Sequence, residues 1–328
     1  MKKLCIIIIF SIIGVNSSKG QLVNDSLSFF QPSHDYNKTR FYSALGFASV
    51  TYSGFSYGLY TAWYQDFDQS GFHFFNDWGE WNNMDKAGHI YTAYFQGVLC
   101  YKGAKWTGLN DKQSILTGII CGSLFQTTIE VMDGFSTEWG FSLSDFTSNA
   151  VGIGAFAWQQ SNWGEQKFIF KESSTGQARP DFRISSVDGT TMSTLRSRGN
   201  DLFGTSLLER YLKDYNNQTY WLSANVHSLL PEGNTWPSWL NIAVGYGSEN
   251  LYGGFKNSWE SEGSRFDITD QFPRYRQYYI SLDVDLNRIK TDNHFLKSIL
   301  SVLNIIKVPA PALEITSTGE VIFHFLHF

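Results

Sequence analysis

The hydrophobic periodicity of the chain changes near residue 163, and this change constrains the fold more than any other feature of the 328-residue sequence. From about residue 38 to residue 160 the pattern is helical. Beyond residue 163 the period becomes two, with Gly, Asn, Ser and Pro between the apolar runs, as in antiparallel strands. The sequence therefore predicts an α+β fold, with a helical bundle over residues 37–160 and an antiparallel β region over residues 164–328.

The helical half contains four segments with recognisable start signals. They cover about residues 41–64, 84–101, 112–132 and a fourth that ends near residue 158. Asn110 and Asp111 offer an N-cap for the third segment, and Ser142 or Ser144 for the fourth. None of the four is an uninterrupted apolar span of about 18 residues, so the pattern disfavours a polytopic inner-membrane protein.

The second half contains six runs typical of strands, at about residues 167–171, 182–187, 220–229, 240–246, 278–286 and 321–328. In one run Tyr278 and Ile280 lie on one face and Ser281 and Asp283 on the other, which predicts a sheet whose polar face is in water. The chain ends on Phe328, as transmembrane barrels commonly do. Two interpretations remain open: a sheet packed on the helices, or a small or partial outer-membrane barrel. Residues 189–204 and 248–270 are predicted to be exposed loops.

The first 20 residues have the layout of a secretory signal peptide. Lys2 and Lys3 precede an apolar run at residues 4–15, and small polar residues follow up to Gln21. The apolar run is shorter than the roughly 20 residues that a membrane-spanning helix needs. We therefore expect export to the cell envelope, with the mature chain in the periplasm or the outer membrane. An uncleaved anchor is the alternative. No lipobox leads into a cysteine, so a lipid anchor is not expected.

The composition points towards lipid and away from nucleic acid. Aromatic residues and charged residues each make up 17% of the chain, a balance typical of proteins with aromatic side chains at a bilayer interface. An aromatic-rich soluble core would give the same composition. The net charge is −5 and no basic block is present, so no nucleic-acid partner is expected. The expected partner is a membrane lipid or a cell-wall component, and the sequence predicts no particular protein partner.

Polar residues lie at one-turn spacing on single faces of three predicted helices. They are Asp85 and His89 on the second, with Lys86 next to Asp85, then Gln126, Glu130 and Asp133 on the third, and Asp145 and Asn149 on the fourth, where Gly152 continues the spacing. An unpaired charge that is buried by such an apolar helix would destabilise the fold by roughly several kcal/mol, because the charge loses its hydration. The three faces are therefore predicted to meet in one polar cluster.

Four interpretations of this cluster remain open. It could be a structural network in which Lys86 or Arg40 pairs the carboxylates. It could be an acid/base site, with His89 as the base and Glu130 or Asp145 orienting it or donating a proton. It could hold a hard or borderline divalent metal ion as its cofactor, through the ligands His89, Glu130, Asp133 and Asp145. It could bind a lipid or glycan head group. No GxSxG, HExxH, P-loop or GxGxxG motif in its required context is present.

These motifs carry a resemblance to an uncharacterised envelope family. The order of Asp85-Lys86-xx-His89, the acidic Glu130 and Asp133, and Asp145-xxx-Asn149 is similar to that of the YfiM-type periplasmic lipoproteins, particularly their long forms in Bacteroidota. More distantly it resembles the VanZ-like membrane proteins, which share a DKxxH start and a DxxxNxxG finish. The resemblance covers about residues 37–158. It implies an envelope location and a helical bundle, without an established reaction.

The chain departs from both families in one respect each. VanZ-like proteins carry an arginine before the final DxxxN, where this sequence has Glu138 and Trp139, so glycopeptide resistance is not transferred. The lipoprotein members have a lipobox cysteine, which is absent here. The function expected is a structural or lipid- or wall-binding role built on the polar cluster. The alternative is an envelope hydrolase or transferase using His89 with Glu130 and Asp145, with or without a metal ion.

Overall fold

The structure, a computed structural model, describes residues 29–64, 68–176 and 179–328. The predicted signal peptide lies outside the described residues. The α+β prediction is confirmed, with 45% of the chain helical and 24% in strands. The division into units at residues 37–160 and 164–328 stays a prediction.

Eight α-helices are present among the described residues. They are α1 Lys38–Leu59, α2 Met84–Trp106, α3 Asp111–Asp133, α4 Leu143–Trp163, α5 Leu195–Phe203, α6 Leu207–Lys213, α7 Val226–Leu229 and α8 His294–Leu303. The predicted caps decide where the long helices begin. Asn110 forms a capping box with Gln113 at the start of α3, and the Ser142 side chain accepts the Asp145 backbone N–H at the start of α4.

Helices α2, α3 and α4 pack closely on one another, and glycines make this approach possible. A Cβ atom on Gly118 of α3 would lie 2.5 Å from the carbonyl oxygen of Gly97 on α2. A Cβ atom on Gly152 of α4 would lie 2.2 Å from the carbonyl oxygen of Ile90, also on α2. By contrast, α1 contributes no buried residue. The bundle core therefore consists of three helices whose backbones nearly touch.

Helix α3 is the one described helix that is long and apolar enough to cross a membrane, judged by length and composition alone. Polar residues interrupt its apolar run, yet its average composition qualifies. Core helices of soluble proteins that qualify are mostly buried, whereas only 22% of the apolar window of α3 is buried. One side of this helix is thus apolar and uncovered.

The described strands are β1 Phe74–Phe75, β2 Phe141–Ser142, β3 Phe168–Ser174, β4 Arg183–Ser185, β5 Met192–Thr194, β6 Gln218–Ala224, β7 Leu240–Glu249, β8 Ser258–Ser261, β9 Ser264–Asp267, β10 Tyr275–Val284, β11 Ala310–Thr316 and β12 Val321–His327. Six of them form the main sheet in the order β12-β11-β10-β7-β6-β3, with antiparallel neighbours. Each of the six predicted runs contains a strand.

The sequence pattern does not predict β11, and both predicted loops contain regular secondary structure. Pro311 lies inside β11, and a proline normally argues against a strand; here the pairing with β12 is irregular between Ala310 and Ala312, which accommodates it. Residues 189–204 contain β5 and α5, and residues 248–270 contain the β8–β9 hairpin. These strands and this helix are too short to show a clear hydrophobic period in the sequence.

The main sheet is open. Its edges are β12 and β3, and no ladder joins them among the described residues. The free edge of β3 carries only an isolated parallel bridge between Glu172 and Ile306. The described residues form no closed barrel, and the sheet packs on the helices: Tyr94 of α2 lies edge-on against Phe170 of β3 with ring centroids 5.1 Å apart. Whether part of the sheet enters the outer membrane stays a prediction.

The polar face of this sheet points inward and the apolar face points outward, the reverse of the sequence-based prediction. Along β10, Ser281 and Asp283 are buried whereas Ile280 and Leu282 are exposed. On the inner face Lys171 Nζ lies 2.8 Å from Asp283 Oδ2, and neither side chain is exposed. The alternation in the sequence was read correctly, but the faces were assigned to the wrong sides.

The exposed face forms a continuous apolar ridge across four strands. Val244, Ile280, Leu313 and Phe323 are direct cross-strand neighbours on β7, β10, β11 and β12, and each is between 39% and 67% exposed. At the β3–β6 end of the sheet, α2 covers the same face. We call these four residues the apolar ridge.

The close packing in the bundle yields a matched pair of substitutions. Gly152→Ala should lower the free energy of unfolding by about 1–3 kcal/mol, because the new methyl group collides with the α2 backbone. Gly154→Ala on the same helix meets nothing within 4 Å and should raise it by about 0.5–1 kcal/mol through helix propensity. Denaturant unfolding followed by circular dichroism measures both. Equal effects at the two positions would contradict the packing described.

Candidate functional site

The predicted polar faces meet at one end of the bundle. Short connections make α2, α3 and α4 run alternately up, down and up, so the first turns of α2 and α4 lie beside the last turn of α3. Asp85 and Asp145 occupy those first turns. The helix dipoles favour negative charge there, which helps these carboxylates to remain in a largely buried place.

Lys86 is the cation at the centre of this cluster. Its Nζ atom lies 2.6 Å from Asp77 Oδ2, 2.9 Å from Asp85 Oδ2 and 2.7 Å from Asp145 Oδ1, and its side chain is 6% exposed. Burial opposes the ammonium charge, but Asp85 and Asp145 outweigh it and hold the pKa of Lys86 above its ordinary value. Burial also disfavours the charged form of Asp77, but its hydrogen bonds to Asp145 and Lys86 outweigh burial and lower the pKa of Asp77 to about 2.

His89 lies between two pairs of oxygen atoms. On one side Nδ1 is 3.0 Å from Asn149 Oδ1 and 3.6 Å from Glu130 Oε1. On the other, Nε2 is 3.5 Å from Asp85 Oδ1 and 3.8 Å from Asp145 Oδ1. Burial opposes protonation, but these carboxylates, Asp85 first, raise the pKa of His89 to about 10. A protonated imidazole has no lone pair with which to take a proton, so the geometry gives no support to His89 as a general base, and that role stays a prediction.

Two carboxylates of the cluster are held where ionisation is unfavourable. Burial and the nearby Asp85 raise the pKa of Asp145 to about 9, and burial raises that of Glu130 to about 7. Glu130 Oε2 and Asp145 Oδ1 accept no hydrogen bond from the described residues. Asp145 Oδ1 forms an ion pair with Lys86, whereas no ion pair with Glu130 Oε2 is present among the described residues. The centre therefore has four carboxyl groups for two cations, and the raised pKa values favour protonation of Glu130 and Asp145.

The structure brings together six of the seven candidate residues from the sequence, namely Asp85, Lys86, His89, Glu130, Asp145 and Asn149. Asp133 stands apart, since its Oδ1 accepts a hydrogen bond of 2.5 Å from the Tyr64 hydroxyl. Arg40 does not pair the carboxylates as the network interpretation allowed. It donates to the carbonyls of Gln31 and Trp106, at the opposite end of α2.

Two residues of the centre escaped the sequence analysis. Asp77 comes from the loop before α2 and accepts hydrogen bonds from the hydroxyls of Ser142 at 2.7 Å and Ser144 at 2.5 Å. Tyr215 comes from the β half and donates to Asp85 Oδ1 at 3.1 Å. Neither belongs to a helical repeat, so no spacing in the sequence marks it. The two serines offered as alternative caps both have a role, because each holds Asp77.

The comparisons with known proteins agree with the centre's location in the chain. Residues 71–160 match the family model described as "Predicted periplasmic lipoprotein (DUF2279)". That stretch, just over a quarter of the chain, holds Asp77 and all seven predicted site residues but not α1. No curated protein and no solved structure matches the chain. The match supports the envelope resemblance, while the likeness to YfiM-type and VanZ-like proteins in particular stays a prediction.

The Lys86 ion pairs give the second prediction. Lys86→Met should lower the free energy of unfolding by about 3–5 kcal/mol, because it leaves three buried carboxylates facing each other without their cation. The matched control is Lys105→Met, near the other end of α2, whose pair with the largely exposed Asp111 should contribute about 0–1 kcal/mol. Thermal and denaturant unfolding compare the two variants. A Lys86→Met protein as stable as the control would refute the central role of this lysine.

Proposed function

We propose that this chain is a cell-envelope protein that contacts membrane lipid through the apolar ridge of its main sheet. The observation that carries the proposal is the inverted sheet. Its inner side holds polar and charged groups that satisfy one another, such as Asp283 with Lys171 and Ser223, beside a small apolar cluster that includes Trp221 and Tyr279. Its outer side carries the apolar ridge, whose four side chains are between 39% and 67% exposed. Such an arrangement is stable when the outer side faces something apolar.

The open edges of the sheet decide how it meets the lipid. Unpaired backbone groups at a sheet edge are too costly to lie in the hydrocarbon interior. We therefore place the ridge against the interfacial region of a membrane and not across its centre. Helix α8 offers a second surface of the same kind, with exposed apolar residues along its length: Phe295, Leu296, Ile299, Val302 and Leu303. The aromatic content of the chain suits this interface.

Two further observations support an envelope membrane as the location. The sequence begins with the pattern of a secretory signal peptide. Residues 71–160 match a family described as periplasmic lipoproteins.

The third prediction tests the ridge with vesicles of phosphatidylethanolamine and phosphatidylcholine. The double substitution Ile280→Thr with Leu313→Thr places a β-branched residue at both strand positions but removes apolar surface from the centre of the ridge. The two side chains are 54% and 39% exposed, so contact with lipid would bury about half of each and contribute about 0.7 kcal/mol apiece, and co-flotation with the vesicles should weaken roughly tenfold. Circular dichroism and thermal unfolding verify that the variant folds.

The control is Leu207→Thr on α6, an exposed leucine outside the ridge and outside α8. It should float with vesicles as the unchanged protein does. If the unchanged protein stays at the bottom of the gradient, or if the ridge variant floats as well as the control, the lipid-contact proposal fails. Zwitterionic lipids exclude a purely electrostatic attraction as the cause of binding.

A further inference from the structure

We propose that Asp85, His89 and Asp145 form a binding site for a divalent transition-metal ion such as Zn²⁺ or Mn²⁺. Each residue offers one ligand atom, and these three atoms lie within 4.8 Å of one another. One imidazole nitrogen and two carboxylate oxygens are ligands that such borderline ions accept. The inference goes beyond lipid contact and does not depend on it, because the site lies in the bundle and not on the ridge.

The distances around His89 are close to those of a formed site. With bonds of about 2.0–2.1 Å, two ligand atoms of a tetrahedral ion are about 3.3 Å apart. His89 Nε2 lies 3.5 Å from Asp85 Oδ1 and 3.8 Å from Asp145 Oδ1. Small side-chain rotations would bring all three atoms to bonding distance. Helix α2 supplies two of the three ligands from adjacent turns of one face, so the helix itself fixes the spacing of those two.

One unpartnered oxygen beside His89 is a second sign that the centre is suited to a cation. Glu130 Oε2 is buried with no hydrogen-bond partner among the described residues, and the Glu130 side chain is 1% exposed. Buried polar atoms are nearly always satisfied, by protein, water or an ion. Asp145 Oδ1, one of the three ligand atoms, lies 2.7 Å from Lys86 Nζ, so the ion would share this carboxylate with the lysine.

The surrounding residues orient the ligands as partners of a metal site do. On the far side of the ring, Nδ1 faces the oxygens of Asn149 and Glu130, which keep a proton on Nδ1, so Nε2 is the nitrogen that gives up its proton and binds the ion. Lys86 binds Asp85 through Oδ2, leaving Oδ1 turned towards His89. When the ion binds, the proton on Nε2 is released to solvent.

The route to the site is open, and the ligand set differs from the predicted one. The side chains of His89 and Asp85 are 15% and 19% exposed, so a small cation can reach them from solvent. Glu130 lies on the Nδ1 side of His89, where it orients the ring. Asp133 is engaged by Tyr64. Asp85 takes the place that the sequence analysis gave to those two carboxylates.

The fourth prediction uses full-length mature protein stripped of metal with a chelator and then dialysed. Titration with ZnCl₂ and with MnCl₂ in a calorimeter should show one saturable ion per chain and a rise in melting temperature. His89→Gln and Asp145→Asn should each weaken binding roughly 100-fold or more, since each removes a ligand. Glu130→Gln, which only orients His89, should weaken it roughly 10- to 100-fold.

Asp133→Asn is the matched control, because it removes a nearby buried carboxylate without touching a ligand. It should bind the ion as the unchanged protein does, which separates coordination from simple attraction to acidic charge. If the ligand variants do not fold, the unchanged protein still decides the matter: a chain that takes up no ion and gains no stability overturns the proposal. Binding that survives equally in His89→Gln, Asp145→Asn and Asp133→Asn is adventitious and overturns it too.

Discussion

The ion-pair cluster around Lys86 is the interaction on which the organisation of the helical half depends. A buried ammonium must find carboxylates, and the three that it finds come from the loop before α2, from α2 itself and from α4. The same loop is tied to the start of α4 a second time, through the pairing of β1 with β2. The lysine therefore fixes the ends of helices that approach each other through glycines further along. The ion pairs at the helix ends and the close backbone packing further along therefore stabilise the same arrangement of the three helices.

Both halves of the chain bury charged groups together with partners of opposite charge. In the bundle the acidic groups gather around Lys86, and in the sheet Lys171 pairs with Asp283 without any exposure. In both places charge is collected inside and compensated there, while apolar side chains such as those of the ridge remain outside. A protein surrounded only by water gains nothing from this arrangement, because its hydrophobic surface stays hydrated. The pattern becomes favourable where part of the surroundings is itself apolar.

The sequence predicted the four long helices, the caps of two of them and most of the candidate site for a physical reason. Helical spacing places Asp85 and His89 on one face whatever the rest of the chain does, and buried charges must then meet. It could not reveal Asp77 or Tyr215, because their positions depend on how a loop and a distant strand fold back. The sheet shows the same limit. Alternation along β10 defines two faces, but which face is buried depends on what packs against it.

The boundary between the helical and the strand-forming halves is not a boundary of the candidate site. Tyr215 donates to a carboxylate of the centre, and a Cβ atom on Gly88 would lie 2.9 Å from the hydroxyl of Tyr220 on β6. Gly88 lies one residue before His89, so the absence of a side chain there is what lets the sheet approach the imidazole. The family match ends at residue 160, before either tyrosine. The β half of this chain therefore supplies a hydrogen-bond donor to the charged centre that the matched segment does not contain, and it comes from the turn directly before β6.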